Sequence, residues 1–470
     1  MKFWNAENTM AGWRFGLIVP VLITVLFFDF AMPIGILFAG LTVVFLFFFG
    51  VNYYSTQWVQ SSYDQLELRI FFIALLVRVI FLGYLYLLTF WFDPDSFPFE
   101  INAADSWVYH NVTLELIDAP ISEWLDIVEN RMKSRSDYGY PIYQGTLYSL
   151  FGPYTFIVRF FNSILGSLTV VMLGRIVNIS WGNSHAKMTA IIAMLFPTLI
   201  WYCGIQLKET LMVFVVVSAF YVIWKSRAQG KWNLWLIAMG FLMCFALFFF
   251  RTFLAALVFI SILLLFIPFK ENRMNSMILV SLMLGLYLFY SLAVSSDIFK
   301  DVNNQIEDSN DFFSRNLENE KSLLGDVKFD QVALAPIIVA GAAITPFPSY
   351  LNTEARQLSI FSRFQNDLVR NMMYFFMYIG LYHTFKKRFK EYIGIIFFLI
   401  AYLGVITSAA NSFQARFHMP IIPFVIIFIG VGVVEIKPKS NRAWLVYLLF
   451  IFIAQLSWTY FKLNIRGINA

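Results

Sequence analysis

Long apolar stretches alternate with short polar segments along almost the whole chain. A transmembrane helix needs about 20 mostly apolar residues to cross the hydrocarbon core of a bilayer. Stretches that meet this requirement predict spans at 13–30, 32–51, 70–92, 151–174, 187–205, 209–224, 232–250, 252–269, 275–294, 371–386, 392–409, 419–436 and 443–461. The pattern therefore predicts an all-α protein, a polytopic bundle of about 13 transmembrane helices.

Four short connections between the predicted spans carry clustered bases. These bases are Lys225, Arg227 and Lys231; Lys270 and Arg273; Lys386, Lys387, Arg388 and Lys390; and Lys437, Lys439 and Arg442. With thirteen spans and a cytoplasmic N-terminus, all four connections lie on one side, and bases near span ends stay in the cytoplasm. The apolar run after Lys2 and Arg14 is predicted to be a retained first span, since no small-residue cleavage site follows it. We therefore predict a multi-pass protein of the cytoplasmic membrane.

Two long loops, 93–150 and 295–370, are predicted on the extracytoplasmic side. The first holds ten acidic residues against three basic ones, and the second holds eleven against seven. Apolar spacing in 112–132 predicts a helix on the membrane surface or against the bundle, and 332–344 predicts a re-entrant or interfacial segment. The chain is accordingly divided into an N-terminal hairpin 1–51, a core 52–294, the second loop 295–370 and C-terminal helices 371–470.

Composition agrees with this architecture and removes other classes of protein. The 470 residues are 59% hydrophobic and 13% charged, with a mean hydropathy of +0.69. An average soluble domain carries about 25% charged residues, so soluble, disordered and collagen-like classes are excluded. Two cysteines and four scattered histidines exclude a disulfide scaffold and disfavour a His-rich zinc enzyme. No metal-ligand set and no nucleic-acid partner are predicted.

Asp105 is the main candidate for chemistry. It stands in the sequence Ala-Ala-Asp-Ser-Trp-Val-Tyr-His at 103–110, shortly after the third predicted span. A carboxylate in a cavity at the membrane surface can act as a general base if burial raises its pKa. The alternative is an Asp that only caps the following helix, which is common. Tyr109 and His110, in the same stretch, are candidates for binding substrate.

A second group of polar residues follows in the same loop. Asp137 and Tyr138 are candidate substrate-binding residues in Ser-Asp-Tyr-Gly-Tyr-Pro at 136–141. Glycine and proline here and at 151–153 predict a tight turn that returns the chain to the bilayer. Arg159 then lies about two turns inside a span, where a charge usually faces a cavity or a partner. The structural alternative for Arg159 is an ion pair with Asp105 or Asp137.

Charged residues also stand at the predicted outer ends of later spans: Lys208, Glu209, Arg251 and Arg416. Cations grouped beside an acidic loop could hold a phosphate-bearing lipid and stabilise it as a leaving group. Each of them could instead reach the interface or pair with lipid headgroups. Arg78, inside the third span, is predicted to be structural.

The order of these features resembles the GT-C class of polytopic glycosyltransferases, which includes the protein O-mannosyltransferases and the aminoarabinose transferase of lipid A. The matching elements, in chain order, are Arg78, the 105–110 stretch, Gly139-Tyr140-Pro141, Phe151-Gly152, Arg159, Asn162, Gly166, Leu168, Thr169, Pro197, the Lys-Glu-Thr-Leu at 208–211, and Arg416 with Pro420 and Pro423. The resemblance covers about residues 70–440 loosely, and the order of the elements carries it. Residues 1–51 look like a hairpin added to the pattern of the class.

The resemblance implies transfer of a sugar from a polyprenyl-phosphate donor to a lipid, glycan or protein acceptor, with inversion, at the extracytoplasmic face. Asp105 would deprotonate the acceptor, and Lys208, Arg251 or Arg416 would hold the departing phosphate. Many members of the class carry a paired acid beside this Asp. Here its neighbours are Ala104 and Ser106, so a divalent metal cofactor stays an open question.

Other functions also fit the composition. An O-antigen or capsule polysaccharide polymerase would use Arg356, Arg363 and Arg370 of the second loop. A flippase for lipid-linked glycans is the non-enzyme alternative, and it predicts no sharp dependence on one Asp. A membrane-bound acyltransferase is disfavoured, because it needs an intramembrane histidine and both His185 and His383 lie at predicted cytoplasmic span ends.

Overall fold

The structure is a computed structural model that describes residues 6–101, 103–132, 134–228, 233–266, 346–351, 363–408, 414–436 and 441–465. Nearly all of these residues are helical, and the only β-type pairing among them is an isolated bridge between Ala31 and Leu351. The helices are α1 Ala6–Leu26, α2 Ile34–Gln57, α3 Tyr63–Phe92, α4 Asp105–Ile117, α5 Trp124–Arg131, α6 Gly139–Phe151, α7 Thr155–Trp181, α8 Asn183–Leu195, α9 Pro197–Cys203, α10 Glu209–Ala228, α11 Leu234–Leu247, α12 Thr252–Leu264, α13 Phe364–Ser408, α14 Ile422–Glu435 and α15 Asn441–Ile465.

Seven of the described helices are long and apolar enough to cross a membrane: α1, α2, α3, α7, α10, α13 and α15. An eighth crossing is available if α8 and α9, which are bent by 50° relative to each other, form one broken span. Large apolar side chains are exposed on these helices, as on α3, where Ile80 and Trp91 are 64% and 69% exposed. Because such surfaces require lipid around them, the chain is a multi-pass membrane protein.

Helix α13 has the length of two membrane crossings. Its 45 residues extend over about 67 Å, roughly twice the thickness of the hydrocarbon core. The backbone leaves the helical conformation at Arg388, which divides the helix into two arms. The predicted spans 371–386 and 392–409 lie on these two arms.

Three other predicted spans contain only short helices. The spans predicted at 232–250, 252–269 and 419–436 hold α11, α12 and α14, whose 14, 13 and 14 residues extend over about 20 Å each. A helix of this length does not cross the hydrocarbon core alone. The predicted span 275–294 and the segment 332–344 lie outside the described residues. The count of thirteen spans therefore stays a prediction.

The single helix predicted over 112–132 is wrong. The segment is divided between α4, which ends at Ile117, and α5, which begins at Trp124. Pro120 lies between them, and proline has no N–H with which to continue the hydrogen-bond ladder of a helix. Both helices pack on the bundle through buried residues such as Leu116 and Val128.

The return of the chain to the bundle takes place at Gly152, not at the earlier Gly-Tyr-Pro. Gly152 has a φ of +90°, which glycine adopts at little cost, and it separates α6 from α7. Gly139 instead begins α6, with Pro141 in the first turn of the helix, where its missing N–H is not needed. Because α7 begins at Thr155, Arg159 lies about one turn inside the helix rather than two.

Helices α13 and α14 approach each other closely at two glycines. A Cβ atom added at Gly380 would lie 1.9 Å from the carbonyl oxygen of Phe428, and one added at Gly432 would lie 1.9 Å from that of Phe376. Small residues allow helices to approach this closely, and the resulting dispersion contacts drive association inside a membrane. Every α14 residue from Ile422 to Val433 is buried, so this short helix is the centre of the bundle.

Candidate functional site

The helix ends form two polar layers. The layer that holds α4, α5 and α6 is called the first-loop end, and it also receives the connections 204–208, 248–251 and 414–421. The other layer, which holds the α2–α3 connection, is called the opposite end. All candidate site residues lie at the first-loop end: Asp105, Tyr109, His110, Asp137, Tyr138, Arg159, Lys208, Glu209, Arg251 and Arg416.

Asp105 forms an ion pair with Arg416, which lies in the 3₁₀ turn Ala415–His418. Arg416 Nη1 donates to Asp105 Oδ2 at 2.6 Å, and the two side chains are 39% and 47% exposed, respectively. The interpretation of Asp105 as a helix cap is wrong, because the residue is already inside α4 and Ala104 holds the cap position. The contact joins two motifs that are 311 residues apart in the chain.

Arg251 is a buried cation beside this pair. Its Nη1 donates to the Tyr402 hydroxyl at 2.9 Å, and among the described residues no carboxylate lies within ion-pair distance of it. The guanidinium carbons of Arg251 and Arg416 lie 4.8 and 5.1 Å from the centroid of the Phe417 ring. Two cations therefore flank one aromatic ring, and only one of them is paired with a carboxylate.

Glu209 is a buried carboxylate with unused hydrogen-bonding capacity. It is the first residue of α10 and is 3% exposed. Its Oε2 atom accepts no hydrogen bond from the described part of the chain. Its charge acts on Arg416 and on Lys208, so it belongs to the same group of charges. A ligand that brings a donor, such as a hydroxyl group, would satisfy this oxygen.

Lys208 holds the first loop to the bundle. Its Nζ forms an ion pair with Asp137 and donates to the carbonyl oxygens of Ser136 at 3.0 Å and Phe250 at 2.9 Å. Tyr109 donates its hydroxyl to the same Asp137 oxygen at 3.1 Å. The three donors of the Lys208 ammonium are thus occupied inside the protein, whereas the Arg251 side chain makes a single hydrogen bond, to Tyr402, within the described part of the chain.

Glu100 connects three segments and was missed by the sequence analysis. It accepts a hydrogen bond from Ser106, the neighbour of Asp105, and forms an ion pair with Arg159 at 3.4 Å. Its Oε2 also faces the backbone N–H of Gln206 at 3.5 Å. The prediction that Arg159 pairs with Asp105 or Asp137 is therefore wrong: Arg159 lies 1% exposed with its charge directed at Glu100 and at the Tyr86 ring, 4.8 Å away.

His110 and Tyr138 lie beside this network. His110 Nδ1 is 2.9 Å from the hydroxyl of Tyr148, which also accepts from the side chains of Gln144 and Gln206. Tyr138 is buried and precedes α6, where the backbone N–H of Gly139 donates to a carbonyl of the 248–251 connection. Both residues are placed to support the loop that carries Asp105.

Burial changes proton affinities at this end of the molecule. Burial lowers the pKa of the Lys208 ammonium, and Asp137 opposes that shift. Burial likewise lowers the pKa of His110, so its ring is neutral near pH 7. Burial and the Asp137 carboxylate raise the pKa of Tyr109 above the ordinary range of tyrosine, which keeps its phenol protonated as a donor.

The opposite end arranges its charges in another way. Glu435 forms an ion pair with Lys387 at 2.5 Å, and its other carboxylate oxygen lies 3.2 Å from Nε2 of His185. Lys187, 2% exposed, donates to three carbonyl oxygens of the α2–α3 connection at 2.8 to 2.9 Å. The sequence analysis did not single out Lys187. It stands at the start of a predicted span, and a charge within an apolar stretch is a signal for a residue that needs partners.

Among the residues that the structure describes, no group of three or more His, Cys, Asp or Glu side chains is placed to bind a metal ion. Of the arginines expected for a polymerase, Arg356 lies outside the described residues. Arg370 is buried, with an ion pair to Asp367 at 3.3 Å and a hydrogen bond to the carbonyl of Pro346 at 2.6 Å. No protein-family model matches this sequence, and no curated protein matches it.

Proposed function

We propose that this protein is an integral membrane glycosyltransferase that moves a sugar from a polyprenyl-phosphate donor to an acceptor at the first-loop end. The observation that supports this most directly is a mismatch between two buried groups. Among the described residues, no carboxylate lies within ion-pair distance of Arg251, and no residue donates a hydrogen bond to Oε2 of Glu209. A sugar phosphate complements both, because its phosphate accepts hydrogen bonds while the adjacent sugar hydroxyls donate them.

Asp105 is proposed as the general base, with Arg416 as the residue that controls it. While Arg416 pairs with Asp105, the carboxylate is engaged in an ion pair and is not available to an acceptor. Donor phosphate bound between Arg251 and Arg416 would draw Arg416 away from Asp105. The freed carboxylate would then accept the proton of an acceptor hydroxyl or amine.

The chemical step is a single displacement. The acceptor oxygen or nitrogen forms a bond to the anomeric carbon as the bond from that carbon to the phosphate oxygen breaks. The acceptor proton goes to Asp105, the electron pair of the broken bond goes to the phosphate, and the anomeric configuration inverts. Arg251 and Arg416 stabilise the phosphate as it leaves, while Lys208 keeps the first loop in place.

The test compares Asp105→Asn with wild type in proteoliposomes supplied with polyprenyl-phosphate monosaccharides and a membrane extract as acceptor. We expect transfer to fall by at least about 100-fold, the usual contribution of a general base. Asp126→Asn is the matched control, because Asp126 is an exposed acid of the same loop. If Asp105→Asn transfers sugar as fast as wild type, the role of Asp105 is overturned. If no such donor is transferred or changes thermal stability, the class is overturned.

A polysaccharide polymerase is the second candidate, and one observation favours it. The charges that act on the buried Tyr202 hydroxyl come from the start of α13 as well as from the main site: Arg363, Glu209, Asp367 and Arg416. An additional cation there would suit a donor with two phosphates. Donor choice separates the two functions: a monosaccharide phosphate used as such favours the transferase, whereas exclusive use of a pyrophosphate-linked repeat unit favours the polymerase.

A further inference from the structure

A groove of about 480 Å³ lies at the opposite end, between the last turns of α2 and the first turns of α3. Tyr53, Tyr54 and Gln57 of α2 line one side, and Arg69 and Phe72 of α3 line the other. The apolar α2 ends here and a polar connection follows, so the groove is at a membrane–water boundary. Aromatic residues are typical of this depth, where ring and polar group face different media.

Arg69 supplies a positive charge that no carboxylate of the described chain neutralises. The side chain is exposed, and among the described residues no carboxylate lies within ion-pair distance. The two acids nearest to it in sequence are used elsewhere: Glu67 pairs with Arg175, and Asp64 accepts from Asn178, both on α7. The phenol groups and the amide of Gln57 add neutral donors around this charge.

Lys187 neutralises the partial negative charge at the C-terminus of α2, which would otherwise repel an anion in the groove. The C-terminus of α2 carries a partial negative charge from its unpaired carbonyl groups. The buried Lys187 ammonium donates to the carbonyl oxygens of Trp58, Val59 and Ser61, directly after that terminus, and pairs with no carboxylate of the described residues. Trp58 and Ser61 also line the groove. Among the residues that line the groove, Arg69 is the one that carries a charge.

The membrane side of the groove is apolar. Leu68 and Phe72 are 66% and 57% exposed, and both stand on the face of α3 that borders the groove. Tyr53 is 57% exposed on the facing helix. A ligand that fits must therefore combine an anionic group for Arg69 with a hydrocarbon chain for these side chains.

We propose that this groove binds an anionic membrane phospholipid, with its phosphate on Arg69 and an acyl chain along Leu68 and Phe72. The site is separate from the first-loop end and does not depend on the transferase function. It would hold the α2–α3 hairpin at a fixed depth in a leaflet that contains acidic lipids.

The test measures lipid retention by native mass spectrometry of the full chain purified with phosphatidylglycerol or phosphatidylcholine of the same acyl chains. We expect about fivefold stronger retention of phosphatidylglycerol, as one interfacial arginine confers. Arg69→Gln should abolish this preference. Arg442→Gln is the matched control, because Arg442 is exposed at the start of α15 with no ion pair described, and it should keep the preference.

Three results would overturn the proposal. They are equal retention of the two lipids by wild type, an equal loss of preference in the Arg69 and Arg442 variants, and complete displacement of phosphatidylglycerol by soluble glycerol phosphate. The last outcome would assign the groove to free phosphate rather than to a lipid. Phe72→Ser, which removes the apolar contact but keeps the charge, should weaken retention of both lipids without changing their ratio.

Discussion

The two ends of the helix bundle use buried charge differently. At the opposite end, Lys187 donates hydrogen bonds to three carbonyl oxygens, and Glu435 contacts Lys387 and His185. At the first-loop end, Arg251 contacts no carboxylate in the described chain, and Glu209 keeps an oxygen without a donor. An unmatched buried charge costs free energy, so Arg251 and Glu209 mark a place where a ligand would complete the bonding.

The largest expected effect, and the strongest test of this difference between the ends, comes from removing one buried cation at each end. Arg251→Met should reduce sugar transfer by about 100-fold or more while leaving thermal stability unchanged or raised, because no carboxylate in the described part of the chain loses its partner. Lys187→Met should instead lower the free energy of unfolding by about 2 to 4 kcal/mol, because three carbonyl oxygens lose their donor. Transfer assays and thermal unfolding of both variants measure the contrast. Equal loss of stability in the two would remove the distinction between the ends.

A second prediction concerns the contacts by which Lys208 holds the first loop to the bundle. Lys208→Met should lower the free energy of unfolding by about 2 to 3 kcal/mol, since Asp137 and two carbonyl oxygens lose their common donor. Adding Asp137→Leu should restore part of that stability, because the unpaired carboxylate is then also removed. Thermal unfolding of both single variants and the double variant gives the coupling energy. Strict additivity of the two changes would show that the pair does not act as a unit.

A third prediction compares Glu100 and Glu435, two carboxylates that each contact several polar side chains. Glu100→Gln keeps an acceptor for Ser106 but loses the charge that faces Arg159, so kcat should fall about tenfold with little change in KM. Glu435→Gln makes the same chemical change at the opposite end and should leave kcat unaltered. Steady-state kinetics of the two variants, at matched expression, measures the difference. A larger loss of kcat in the Glu435 variant would contradict the assignment of the ends.

The smallest expected effect is a dependence of stability on pH at His110. Its folded-state pKa is lowered by burial, so the unfolded chain binds a proton that the folded chain does not. The contribution of His110 therefore destabilises the fold as the pH falls below about 6.5, the ordinary pKa of histidine. His110→Gln should lose less stability than wild type between pH 7.5 and 5.5, by under about 1 kcal/mol. A parallel decline of the two unfolding temperatures would contradict this.

The long helices were predictable because their signal is local. An apolar run of about 20 residues identifies α2, α3, α7 and α10 without any knowledge of neighbours. The same rule predicted full spans where the structure has only the short helices α11, α12 and α14, because the apolar sequence extends beyond the ends of these helices. The break in 248–250 is a turn held by contacts with α6 and Lys208, which no local pattern reveals.

The pairing of charges was less predictable than their presence. A charge inside a span needs a partner, which correctly singled out Arg159, but its partner Glu100 was one of ten acids in the loop. Asp105 and Arg416 were both named as candidates, yet their direct contact depends on the path of the chain between them. Single-sequence patterns specify which groups need partners, whereas tertiary structure determines which partners they get.

The contact between Asp105 and Arg416 also has a consequence for how the protein is made. A ribosome adds roughly 5 to 20 residues per second, so roughly 15 to 60 s separate the synthesis of these two residues, 311 positions apart. During that interval α4 is already complete while its arginine has not yet been added. The first loop therefore enters the assembly early, before the arginine that pairs with its carboxylate has been added. Chains released before residue 416 would lack the arginine that pairs with Asp105.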